Sequence, residues 1–237
     1  ITNYLSTKFQ KITVITLDKS AKKKLSKKIN IIYPKSDLIN YLGRRTKFLI
    51  SLIYLFKAIT SNYKPTVFCF QGIIYCTSLC KLIGTKIIIR SNSSPSGWSN
   101  NYIKKILYKI IYGFSDKIIV NSLNFKKELK EKFNWKSVCI YNPLNKADIL
   151  KNSKIRINLK FFNKKNLNLI SVARFSEQKD HECLIKSINF IKKKNNIKLL
   201  LIGSGPLKHK MFALIKKLKL TKTIKIIDFK KNPFPYM

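Results

Sequence analysis

LISVARFSEQKDHECLIKSI, residues 169–188, carries three kinds of patterning in succession. Leu169 to Val172 is an apolar run of strand length, Arg174 to Asp180 is polar, and Leu184, Ile185, Ile188 and Ile191 recur with the spacing of one helix face. Strand, turn and helix in that order begin a βα unit. The turn lies at the carboxyl end of a buried strand, where open parallel sheets place their ligands. It holds two cations that suit a phosphate-bearing ligand: Arg174 as a planar fork and Lys179 as a point charge. Asp180 is placed to cap the helix, so the first-turn N–H groups point the same way.

The next loop repeats the arrangement. Residues 197–202 (IKLLLI) form a continuous apolar strand, and Gly203-Ser204-Gly205-Pro206 leads into a helix with the stripe Leu207, Met211, Leu214, Ile215 and Leu218. Gly203 and Gly205 are expected to let the backbone approach a ligand with no Cβ in the way, and Pro206 suits the helix's first turn. Tight βα turns need glycine in any case, so this loop gains meaning only beside the Arg174 loop. Residues 223–229 (TIKIIDF) make a third strand.

Upstream, residues 11–16 and 29–33 read as short strands around a lysine-rich loop, and residues 43–61 as a helix. Residues 66–70, 72–82 and 85–90 read as strand, helix and strand, with Gly84 as the helix stop; a βαβ unit of this length makes its strands parallel. The polar loop 91–101 leaves the carboxyl end of its strand, with Arg90, Asn92 and Ser93 as candidate cleft residues. Trp98 in this loop either packs on a neighbouring helix or stacks on a sugar ring. Residues 102–114 are expected to form a helix with Ile103, Ile106, Leu107, Ile110 and Ile111 buried and the lysines outward. Residues 116–120 and 137–141 are strands, joined by a helix that Asn121 or Ser122 can cap. Residues 145–166 are polar and patternless and read as an interdomain linker, which divides the chain into 1–144, 145–166 and 167–237.

The runs SVARFSEQKDHECLIKSI, LLLIGSGPLK and IIDFKKNPFPYM resemble the donor-binding half of a family 4 glycosyltransferase with the GT-B fold. SDKIIVNS (115–122) and Tyr141-Asn142-Pro143 resemble the end of that family's acceptor-side domain. The resemblance implies an α/β protein of two Rossmann-like domains whose parallel sheets face a cleft, the second domain truncated. It implies transfer of a sugar from a nucleotide-sugar donor to a glycan or lipid-linked acceptor, with retained configuration. No metal or cofactor is implied, since the nucleotide-sugar is a substrate. Arg174 and Lys179 would grip the donor diphosphate, with Gly203 and Gly205 beside them, and the catalytic residues are unassigned. Two departures stand out: relatives often carry a His in the loop after Arg90, and they favour a glycine near Asp228. The chain begins at Ile1 and ends where the resemblance expects further βα units, so an internal fragment is expected. A nucleotide-sugar epimerase of the same fold is one rival reading.

A second rival comes from composition. The 237 residues carry 49 basic and 10 acidic side chains, a net charge of +39, which raises nucleic acid, an anionic membrane or an anionic substrate as partners. Lysine is spread through nearly every segment, with no basic stripe interleaved with aromatics, so a nucleic-acid partner is not expected. Compositional drift accounts for most of the charge, and peripheral contact with the inner face of an anionic membrane for some, with lysines expected over both domains and some excess on the acceptor-side half. The five cysteines form no CxxC pair and are expected as reduced core thiols in a cytoplasmic protein. His181 and His209 are expected at solvent or an edge rather than on a metal. No Ser-His-Asp order, P-loop or close carboxylate pair appears.

Overall fold

Every described strand pairs in parallel, as the short βα connections require. The computed structural model describes residues 1–34, 36–61, 65–92, 95, 101–157, 159–192 and 196–237. The chain divides into two compact units, Ile1–Pro143 and Leu144–Met237.

The first unit contains α1 (Thr2–Leu5), β1 (Thr13–Ile15), β2 (Asn30–Ile32), α2 (Arg44–Thr60), β3 (Val67–Cys69), α3 (Ile73–Ile83), β4 (Ile87–Ser91), α4 (Tyr102–Gly113), β5 (Lys117–Val120), α5 (Leu123–Phe133) and β6 (Ser137–Cys139). β1 and β2 pair with each other, and the remaining four strands form one sheet in the order β3-β4-β5-β6. Ile87, Ile89, Val120, Leu129 and Cys80 are fully buried at its centre. Gly84, at φ 71°, ends α3; its own N–H and that of Thr85 close on Lys81 O and Cys80 O. Ser122 caps α5 by accepting from Phe125 N at 3.2 Å. Asp116 fixes the register of β4 against β5 from both sides: its N–H donates to Ile87 O at 3.0 Å, and its Oδ2 accepts from Ile87 N at 2.7 Å.

α4 forms where the periodicity placed it, capped by Asn101, but turned over. Ile111 and Tyr112 are buried and Tyr108 is half-buried, whereas Ile103, Ile106, Leu107 and Ile110 are exposed. An apolar stripe identifies a face without saying what lies against it. Here the two tyrosines, in contact with each other and with Tyr112 stacked on Trp135, make the inward face instead.

The second unit contains α6 (Lys146–Ser153), β7 (Leu167–Val172), α7 (His181–Ile191), β8 (Ile197–Ile202), α8 (Lys208–Lys217) and β9 (Ile224–Ile227), with the sheet order β7-β8-β9. β8 is central and almost wholly buried. Among the described strands β7 has a neighbour on one side only, and it is half-exposed, with Leu167 and Val172 open to solvent, so the buried strand expected there is an edge strand. The stretch 145–166 is not a featureless linker. Asn145 accepts from Asp148 N at 3.3 Å and starts α6, α6 packs on the 3-10 turn Phe234–Tyr236, and Asn232 donates to Asn152 at 3.0 Å. Lys198 Nζ stands 5.4 Å from the Phe161 ring centre. Basic residues occur in both units, 26 in the first and 23 in the second, so the first holds the small excess expected, although the shorter second unit is denser in them.

Replacing Asp116 by Ala should lower the urea-unfolding free energy by about 1–3 kcal/mol, because Ile87 N loses its acceptor. Asp116→Asn keeps an oxygen in place and should recover most of that. Equal stability of Asp116→Ala and the native chain would show that the strand pairing fixes register without the carboxylate.

Candidate functional site

The two expected loops of the second unit are built against each other. Ala173 N donates to Ile202 O at 3.0 Å, Phe175 N to Ser204 O at 2.9 Å, and Leu207 N to Phe175 O at 3.2 Å. A Cβ on residue 203 would lie 1.9 Å from Ala173 O, and one on residue 205 would lie 2.3 Å from Phe175 O. Gly205 also has φ +156°. The glycines are therefore required for one loop to seat on the other, a role distinct from the ligand approach expected of them. Phe175 is fully buried between the loops and locks them from below.

Arg174 and Lys179 lie on this locked loop, both exposed. Among the described residues neither has an ion-pair partner. Lys179 ends the 3-10 turn Glu177–Lys179, and Asp180 follows in the left-handed region at φ 42°, ψ 49°. Asp tolerates that conformation better than most residues, and its Oδ1 accepts from Cys183 N at 3.2 Å, the expected cap of α7. Pro206 lies in the turn ahead of α8 rather than within it. The start of α8 has no side-chain cap and no acidic residue in its first turn; Lys208 N donates to Gly205 O, and the N–H groups after it carry the positive dipole end without a cap. The carboxyl edge of this sheet thus presents two exposed cations and an uncapped helix start beside a rigid backbone.

Three features here were not read from the sequence. His181 is 4% exposed, not at solvent as expected. Its ring sits edge-on to Phe175 at 5.2 Å, and among the described residues neither nitrogen has a hydrogen-bond partner. Burial holds its pKa below the ordinary 6.5, Asp180 opposes that, and Lys179 adds to it. Glu182 accepts from Lys186 at 2.8 Å and pairs with Lys210 at 3.0 Å, tying α7 to α8; these cations hold its carboxyl down at about 2. Lys208 pairs with Asp228, joining α8 to the end of β9 at the position where the expected glycine is missing. The partners of Lys210 and Lys208 lie 28 and 20 residues away, too far to give a local pattern. A small cleft between α7 and α8 is lined by Glu177, Asp180, His181, Glu182 and Lys210 with the apolar Leu207, Met211 and Leu214; its three carboxylates suit an anion poorly, and neither Arg174 nor the glycines line it.

In the first unit, Arg90 is 4% exposed and donates from Nη2 to Ile140 O at 3.3 Å and to Asn142 Oδ1 at 2.7 Å. It ties β4 to the segment after β6 and is not a free cleft donor. Asn92 is exposed; Ser93 and Trp98 lie outside the described residues. No three His, Cys, Asp or Glu side chains gather as a metal site among the described residues.

Residues 151–234 match the family Glycosyl transferases group 1. That family match covers both loops of the site. Over 173 residues, 69% of the chain, the sequence is 28% identical to an N-acetylgalactosaminyltransferase of Campylobacter jejuni that acts on N-acetylgalactosamine-N,N'-diacetylbacillosaminyl-diphospho-undecaprenol, and it covers 46% of that protein. The chain spans under half the length of the curated relatives it matches. Among solved structures, a glycosyltransferase from Rickettsia africae aligns over 99% of this chain and 64% of its own, with TM-score 0.66 and 17% identity. Anabaena HepE in complex with UDP and glucose aligns over 94% and 63%, with TM-score 0.65 and 11% identity. The fold is therefore α/β with parallel sheets, of the GT-B kind.

Two outcomes test the site's construction. Gly203→Ala should destabilise the protein by about 3 kcal/mol or more in the absence of any ligand, since backbone must move to admit the methyl group; an unchanged melting temperature would refute the loop-seating role. For His181, the folded pKa lies below the unfolded one, so the unfolded chain binds the extra proton and stability falls as pH drops through 6.5. His181→Leu should remove that part of the pH dependence, read from urea midpoints above and below this value. Parallel pH profiles for the two proteins would contradict it.

Proposed function

We propose that the protein is a glycosyltransferase that moves a sugar from a nucleotide-sugar donor to a glycan or lipid-linked acceptor in polysaccharide biosynthesis. In this reading it is a retaining, hexosyl-transferring member of glycosyltransferase family 4. The observation that carries the reading is the pair Arg174 and Lys179, exposed and without ion-pair partners among the described residues, on a loop held rigid by its neighbour and next to the uncapped start of α8. The match to a glycosyltransferase family over this same region supports it, as does the UDP complex of a structure with the same fold. The comparisons return glycosyltransferases and favour neither an epimerase nor a nucleic-acid-binding protein.

The chemistry follows from charge. When the bond to the sugar breaks, a nucleoside diphosphate leaves with growing negative charge, and catalysis requires that charge to be met by groups already in place. In this proposal Arg174 and Lys179 meet it directly, the N–H groups of α8 add a dipole, and no metal or cofactor takes part. A preorganised loop matters because no reorganisation is then needed as the charge develops. The five cysteines are free, which fits a reducing cytoplasmic setting.

Replacing Arg174 or Lys179 with Ala should slow transfer by about 10²–10³-fold, the loss typical of one preorganised charge-stabilising donor. Arg174→Lys should rescue only in part, since the fork is lost. The measurement is turnover and donor affinity in folded protein with a panel of UDP- and GDP-sugars. Near-native values for both alanine variants would mean that this loop is ordinary surface and that the donor is held elsewhere.

A further inference from the structure

We propose that the outward face of α4 seats the first unit on an anionic lipid surface. Ile103, Ile106, Leu107, Ile110 and Phe114 follow one another at i, i+3, i+4, i+7 and i+11, and they are 76%, 41%, 47%, 50% and 46% exposed. They form a continuous apolar stripe on the side of the helix facing away from Tyr108 and Tyr112, with the buried Ile111 at its margin. A helix whose inward face is satisfied gains nothing within the fold from a second apolar face. Exposed aliphatic stripes of this length mark an interaction surface. Between this stripe and Trp135 runs a shallow groove lined by Ile106, Lys109, Ile110 and Phe114.

Charge identifies the occupant. Lys104, Lys105 and Lys109 are exposed on α4, which has no acidic residue. Lys81 of α3 reaches across to the Phe114 ring, 5.6 Å from its centre. An apolar stripe edged by lysines is what an in-plane amphipathic helix needs: its aliphatic side chains enter about 5–10 Å into the headgroup boundary while the amines stay among lipid phosphates. A second copy of this chain would bring another +39 against the same lysines, which opposes self-association. A nucleic acid would use the lysines but leave the aliphatic stripe in water. No described helix is long and apolar enough to cross a membrane, which fits a helix lying in the interface. The proposal goes beyond the transferase reading and does not depend on it.

The test is sedimentation of the full chain with phosphatidylcholine vesicles, pure or containing a third phosphatidylglycerol, across a range of salt. The native chain should bind the anionic vesicles and retain part of that binding at high salt. Leu107→Ser with Ile110→Ser changes two exposed side chains; with its fold verified by circular dichroism, it should bind about tenfold more weakly and lose the salt-resistant part. Neutralising Lys216, Lys217 and Lys222 of the second unit to Gln should leave the salt-resistant part intact, because the stripe is untouched. Binding by the double variant equal to that of the native chain would overturn the proposal, since charge alone would then hold the protein to lipid. So would a native dimer in light scattering that the double variant abolishes, or displacement of the protein from vesicles by single-stranded RNA at physiological salt.

Discussion

The second unit depends on a contact too close for any side chain: Ala173 O lies 1.9 Å from where a Cβ on residue 203 would sit. The absence of two methyl groups lets two βα loops of a parallel sheet close into shared hydrogen bonds, with Phe175 buried beneath. The consequence reaches further along the chain. Against the Phe175 ring, the first residue of α7, His181, is buried edge-on. The cost of a buried imidazole without partners is borne by packing rather than by hydrogen bonds. Arg174 and Lys179 bracket this assembly, so their backbones are placed before any ligand arrives.

Much of this architecture was legible from local pattern. Continuous apolar runs of four to six residues became parallel strands because only a strand covered on both faces tolerates that composition, and β8 is the clearest case. Asp180 was readable as a cap from its place between a polar turn and an amphipathic run. What stayed hidden were facts about partners. Ile103 and Ile111 lie on one helix with equal hydrophobicity, and nothing local says that Tyr112 and Tyr108 will win the inward side. Arg90 looked available because a charged residue at a strand end usually is; its burial depends on Asn142, far along the chain. Asn145 was overlooked as a helix start because the residues after it are polar, although its cap is made by the same local rule as the others.

Scarcity of acid shapes the electrostatics. With 10 acidic side chains against 49 basic ones, nearly every described carboxylate has a structural use. Asp18, Asp116 and Asp180 accept backbone N–H bonds, and Asp148 accepts from Asn145. Glu128, Glu131, Glu182 and Asp228 pair with lysines. Most lysines are thus left to solvent and counterions. Exposed ion pairs contribute little to stability, so the imbalance need not prevent folding, but it makes the surface receptive to any polyanion.

That receptiveness lowers the value of an unpaired cation as evidence, because the chain has many. Mobility sets Arg174 and Lys179 apart. A cation on a loosely held loop must surrender side-chain entropy to bind a phosphate, and backbone freedom as well. On the seated loop the backbone share has already been lost in folding, held there by Gly203, Gly205 and Phe175. The same reasoning distinguishes the lysines of α4 from the rest: there the fixed element is a helix, and the second signal is an apolar stripe. In a uniformly basic protein, function is therefore to be read where charge coincides with rigidity or with exposed apolar surface, and not from charge alone.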